Sequence, residues 1–157
     1  MKFRSLSHTY DILNNFFQSI LSLSNILPIA MRGIKIGKNP YFYGKTIFRR
    51  FPKSKIIMGN NIKFISKPGV NLIGINRPCS ISTLEEGALI RIGNNCGFSG
   101  AVIAAFDEII IEDNVKFGAN SLVTDSDWHK EDFRSSPDKK IHIEKNPIYL
   151  TYSLSVT

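Results

Sequence analysis

A chain of 157 residues, 43% hydrophobic and 21% charged, has the size and composition of one soluble globular domain. Its two cysteines, Cys79 and Cys96, stand 17 apart with no CxxC spacing, which argues against a zinc site and a disulfide framework and for free buried thiols in a reducing compartment. The net charge of +7 is unevenly divided: residues 1–67 carry twelve Lys/Arg and one acid, Asp11, for +11, and residues 68–157 carry eight Lys/Arg and twelve acids, for −4.

Residues 7–31, "SHTYDILNNFFQSILSLSNILPIAM", read as a helix broken near Pro28. Tyr10, Leu13, Phe16, Phe17, Ile20, Leu21 and Leu23 form an apolar stripe at helical spacing. Asp11, Asn14, Asn15, Gln18 and three serines interrupt the run, so it falls short of a transmembrane span. No cleavage-site pattern marks it as a secretory signal. Two fates stay open for this helix: packing on the body, or lying on an anionic membrane surface with the surrounding Lys and Arg. The basic charge also suits a phosphorylated substrate or nucleic acid.

From residue 34 one phrase recurs: "IKIGKN" at Ile34, "IIMGNN" at Ile56, "IRIGNN" at Ile90, "IIIEDN" at Ile109 and "IHIEKN" at Ile141. Positions one and three are apolar, position four is Gly or Glu, and position six is Asn. A finer six-residue step links Ile92 to Phe98, and Ile111 to Phe117 to Val123. Such a step describes a short flat strand with one large side chain inward, then a tight turn; three steps close a triangular coil of about 18 residues. Asn and Gly supply the turns because both tolerate unusual backbone angles. The Asn95–Asn114 separation of 19 is close to one coil; the separations of 22, 34 and 32 require irregular coils or inserted loops. Residues 90–125 are therefore expected as successive short parallel strands, with Ile92, Phe98, Ile111, Phe117 and Val123 inward.

The alternation stops at "SLVTDSDWHKEDFR", Ser121 to Arg134. Asp125, Asp127, Glu131 and Asp132 crowd around the single Trp128 and His129. A coil broken after Val123-Thr124 puts residues 125–140 in a protruding loop, where functional groups concentrate. A histidine there has a pKa suited to general-base work.

The pieces "NPYFYGKTIFRRFPKSKIIMGNN", "INRPCSISTL", "IRIGNNCGFSGAVIAA" and "VTDSDWH", in that order between about Gly33 and Asn146, resemble the hexapeptide-repeat acyltransferases of the maltose and galactoside O-acetyltransferase branch. The resemblance is closest to members from bacterial polysaccharide gene clusters. It implies a mainly β fold: a left-handed parallel β-helix over 34–157, with loop 125–140, behind an N-terminal helical segment, 1–33. It implies transfer of an acetyl group from acetyl-CoA, the acyl donor, to a sugar hydroxyl or lipid-linked saccharide, with no metal. By motif, His129 is the catalytic base. Counting from "IGNN" puts Ser99 at one acceptor-holding position and Asp107 at or beside a second. Asp125 or Asp127 orients the imidazole or only shapes the loop. Trp128 forms an acceptor wall or packs on a neighbouring subunit, since the family is trimeric with sites between subunits. Cys96 is expected to fill the core.

After "IEKN" relatives continue with further coils that help build the coenzyme A groove. Here the text becomes "PIYLTYSLSVT", so the chain is expected to be a truncated member, and a catalytically inactive remnant is the alternative to an enzyme. No donor contacts can be assigned. The "YFYGKTIFRRF" stretch interleaves aromatic and basic residues, but a strand with one buried face does the same, and no nucleic-acid partner is expected. The location expected is cytoplasmic, with peripheral association at the inner membrane face left open by the two fates of the helix.

Overall fold

Each recurring phrase folds into a strand followed by a corner, and the phrases stack on one another. The computed structural model describes residues 20, 24–126, 140–144 and 154–155. β1 (Lys35–Ile36), β4 (Lys55–Met58), β7 (Leu89–Ile92), β10 (Glu108–Ile111) and β13 (Lys140–Ile143) form the first parallel sheet in that order. β2 (Tyr41–Tyr43), β5 (Lys63–Ile65), β8 (Gly97–Ser99) and β11 (Lys116–Ala119) form the second. β3 (Ile47–Arg49), β6 (Ser80–Thr83), β9 (Val102–Ala105), β12 (Leu122–Thr124) and β14 (Leu154–Ser155) form the third. The chain visits the three sheets in rotation, the connectivity of a parallel β-helix. The phrases are in register: Ile56 lies opposite Ile90, Ile90 opposite Ile109, and Ile109 opposite Ile141. The extra length between phrases goes into corners. Residues 66–79 bulge between β5 and β6, and the connection from β12 to β13 begins at Asp125.

Corner chemistry explains the phrase. Asn39, Asn61, Asn95 and Asn114, all at position six, have φ between 54° and 64°, the left-handed region that Asn reaches at little cost. Their side chains form a ladder between coils: Asn39 donates to Asn61 at 3.3 Å, Asn61 to Asn95 at 2.9 Å and Asn95 to Asn114 at 3.1 Å. Position five caps the coil before it. Asn60 Oδ1 accepts the Lys38 amide at 2.8 Å, Asn94 Oδ1 the Asn60 amide at 2.9 Å, and Asp113 Oδ1 the Asn94 amide at 2.6 Å. Those caps sit where a Cβ at position four would go. At Gly59 a Cβ would meet Asn94 Oδ1 and the Gly93 carbonyl carbon at 2.8 Å each. Position four is therefore Gly wherever the next phrase carries Asn or Asp at five. Glu112 precedes a phrase with Lys145 instead.

The core runs down the axis as three columns. Phe42, Phe64, Phe98 and Phe117 stack with centroids 5.3, 5.2 and 5.0 Å apart. Phe48, Ile81, Ile103 and Val123 line the third sheet, and the phrase isoleucines line the first. Ile92, Phe98, Ile111, Phe117 and Val123 are all buried, as the six-residue step requires. Cys79 and Cys96 are free and buried in this column system. Burial pushes the Cys96 thiol up to about 11 and raises that of Cys79, so neither is a thiolate nucleophile near neutral pH.

Residues 24–31 are helical and close the first coil. Ile29 is 1% exposed within the core. Asn25 Oδ1 accepts the Thr46 amide at 2.8 Å, and Asn25 Nδ2 donates to the Gly44 carbonyl at 3.2 Å. The helix runs through Pro28 rather than breaking at it. Proline removes one amide donor, yet its carbonyl still accepts the Arg32 amide at 3.2 Å. Of the predicted apolar stripe only Ile20 falls in the described residues, and it is 48% exposed. Among the described residues no helix is long and apolar enough to cross a membrane.

Candidate functional site

Asp125 directly follows β12 and fixes the point where the chain leaves that strand. The residue is 4% exposed because the preceding coil covers it. The Phe106 amide donates to Oδ1 at 2.7 Å and the Asp107 amide to Oδ2 at 2.8 Å. One side chain thereby caps both amides of the β9–β10 corner. Ionised carboxylates accept such bonds more strongly than neutral groups, so the exit from β12 is pinned to the corner that carries Asp107. The Ser126 amide reaches back to Thr124 Oγ1 at 3.4 Å. Asp107 is half-buried at that corner, with Oδ2 enclosed by protein.

The structure thus brings Asp107 and Asp125 together. Both Asp125 oxygens accept backbone amides, which holds the end of β12 against that corner. Asp127, Trp128 and His129, and the acids Glu131 and Asp132, lie outside the described residues. Ser99 stands elsewhere on the same coil. It ends β8, and the four residues of β9, roughly 13 Å of extended chain, separate it from the Asp107 corner. His142 points outward, as its place in the phrase implies, and pairs with Glu112 at 3.1 Å.

Ser99 lines a cleft of about 430 Å3 on the outer face of the second sheet. Its floor is Gly97, Ser99, Gly118 and Ala119, its flanks are Lys63 and Lys116, and one wall is Asn71 and Ile73 from the 66–79 loop. Lys63 lies 5.7 and 5.4 Å from the ring centroids of Tyr41 and Tyr43. Those rings meet edge to face at 4.7 Å, and burial followed by the Tyr43 contact pushes Tyr41 up to about 12. Sequence reasoning missed this cleft. The signal available was the residue before each stacked phenylalanine: Lys63, Gly97 and Lys116 share one outward column. The wall carried no signal, because the 66–79 loop follows no period.

The chain matches no protein-family profile, no curated protein and no solved structure.

Proposed function

We propose that this protein is an O-acetyltransferase built on a left-handed hexapeptide β-helix, moving acetyl from acetyl-CoA to a sugar hydroxyl in bacterial surface polysaccharide synthesis. The observation that supports the reading is the Asp125 anchor, which ties the root of the Trp128-His129 segment to the Asp107 corner. A base must be held in one place to be effective, and His129 comes four residues after the anchor.

In this reading the His129 imidazole takes the proton from the acceptor hydroxyl as that oxygen attacks the thioester carbonyl. Backbone amides stabilise the oxyanion. Collapse expels the coenzyme A thiolate, which receives the proton from the imidazolium. Asp107 and Ser99 hold the sugar, Asp127 orients the imidazole, and Trp128 closes the site or packs on a neighbour in a homotrimer. Ser99 and Asp107 then serve one acceptor from two edges of a coil, a division that suits a site shared between subunits.

The test is coenzyme A binding by calorimetry, then release of free thiol from acetyl-CoA with saccharide acceptors. Saturable binding is expected. His129→Ala should lower turnover by roughly 10²–10⁴-fold and leave coenzyme A affinity unchanged. No coenzyme A binding would return the chain to a non-catalytic β-helix, and an unchanged rate would move the base elsewhere.

A further inference from the structure

We infer that the cleft on the second sheet is a binding site for a phosphorylated saccharide, with Lys63 and Lys116 holding the phosphate. Charge is the first argument. The residues that line the cleft include two lysines and no carboxylate. Neither lysine forms an ion pair among the described residues. An anion placed between two such lysines is attracted by both.

Geometry is the second argument. Lys63 and Lys116 stand two rungs apart in one outward column, with Gly97 between them. Two strand spacings make about 10 Å, and both side chains are long enough to converge on one anion. A Cβ at Gly97 would meet only Lys116 Cγ, at 3.7 Å, so packing within the chain does not demand glycine there. Together with Gly118 it leaves the floor flat and bare, as close approach of a ligand requires. The Lys63 ammonium rests beside the Tyr41 and Tyr43 rings of β2, a cation–π contact that is weak at an exposed site and that an anion between the two lysines outweighs.

Size and lining specify the rest of the ligand. A volume of about 430 Å3 lies in the range of small-molecule sites. The Ser99 hydroxyl and the Asn71 amide offer polar groups to sugar hydroxyls, and Ile65 and Ile73 offer an apolar wall. An inorganic anion alone would use only the lysines. The inference shares Ser99 with the proposed acceptor site and rests on that reading for the saccharide, but it is read by binding of the sugar phosphate without acetyl-CoA, so its failure is distinguishable from failure of acetyl transfer.

The experiment titrates the full chain with glucose 1-phosphate, glucose, inorganic phosphate and coenzyme A by calorimetry at two salt concentrations. Glucose 1-phosphate should bind saturably, more tightly than phosphate or glucose, and more weakly in high salt. Lys63→Ala and Lys116→Ala should each weaken it about tenfold or more, the worth of a bond to a charged group. Lys116→Arg should retain binding. Both alanine variants change exposed side chains, and circular dichroism is the check that they fold. Absence of glucose 1-phosphate binding, or equal binding by wild type and both alanine variants, would overturn the inference. So would phosphate binding as tightly as the sugar phosphate, or variants that lose coenzyme A instead, which would assign the lysines to the donor.

Discussion

At the scale of single residues, the corners set the tolerances. A Cβ at Gly93 would lie 2.6 Å from the Asp113 amide nitrogen and from the Glu112 carbonyl carbon, and backbone cannot move aside cheaply. Gly93→Ala should therefore lower unfolding stability in urea by about 1–3 kcal/mol. Gly97→Ala, with open space and one contact at 3.7 Å, should change it by no more than about 0.5 kcal/mol. Cys96 makes a second residue-scale prediction. Its folded pKa is raised from 9.0 to about 11, chiefly by burial. The folded state favours the protonated thiol, so its contribution is fully present below pH 9.0 and is lost as pH rises through about 11. Cys96→Val should flatten the alkaline decline in stability over that window, measured by urea unfolding at stepped pH.

At the scale of elements, ladders carry the stability. Phe98 is 1% exposed and stacks on both Phe64 and Phe117, so Phe98→Ala removes contacts from three coils at once. A loss of about 3–5 kcal/mol is expected in urea unfolding. The loop root gives the companion prediction. Asp125→Ala leaves the Phe106 and Asp107 amides without their acceptor and should cost about 1–3 kcal/mol in thermal unfolding. Asp125→Asn keeps one carbonyl oxygen and should cost less. Equal losses from the two substitutions would show that charge, not bond count, sets the anchor. The phrase repeat was legible in the sequence at this scale, since a six-residue step with inward Ile or Phe has few other physical meanings. Pro28 was not: whether a helix breaks at proline depends on what its freed neighbours bond to.

At the scale of the whole molecule, charge is distributed along the winding. The basic first 67 residues include the helix that closes the first coil, with Leu27 65% and Met31 80% exposed on its outer side. Apolar groups rimmed by Arg and Lys favour an anionic surface, with each basic residue contributing about 1 kcal/mol near the membrane. Vesicle co-sedimentation should recover more protein with anionic than with neutral lipid, and salt should reduce the difference. Equal recovery, or recovery insensitive to salt, would leave the segment as a structural cap, a role the buried Ile29 and the Asn25 bonds already support.

The division between sequence and tertiary structure comes from range. The coil could be read in the chain's text: inward Ile and Phe at a step of six, and Asn at left-handed corners. Gly at position four is expected there for its backbone freedom, whereas none of Gly37, Gly59 and Gly93 has a positive φ, and it is the next coil's cap that demands them. These are contacts between equivalent positions, so a repeat in the text is a repeat in space. What lies beside what across the coils came from the fold. It set Asp125 under the Phe106–Asp107 corner, brought the 66–79 loop beside Ser99, and lined Lys63 and Lys116 along one open column. Those neighbours are up to 53 positions apart in the chain; the lysines alone leave a trace in the text, each standing just before a stacked phenylalanine. Register between coils brings them together, and register is fixed by the sum of all the ladders.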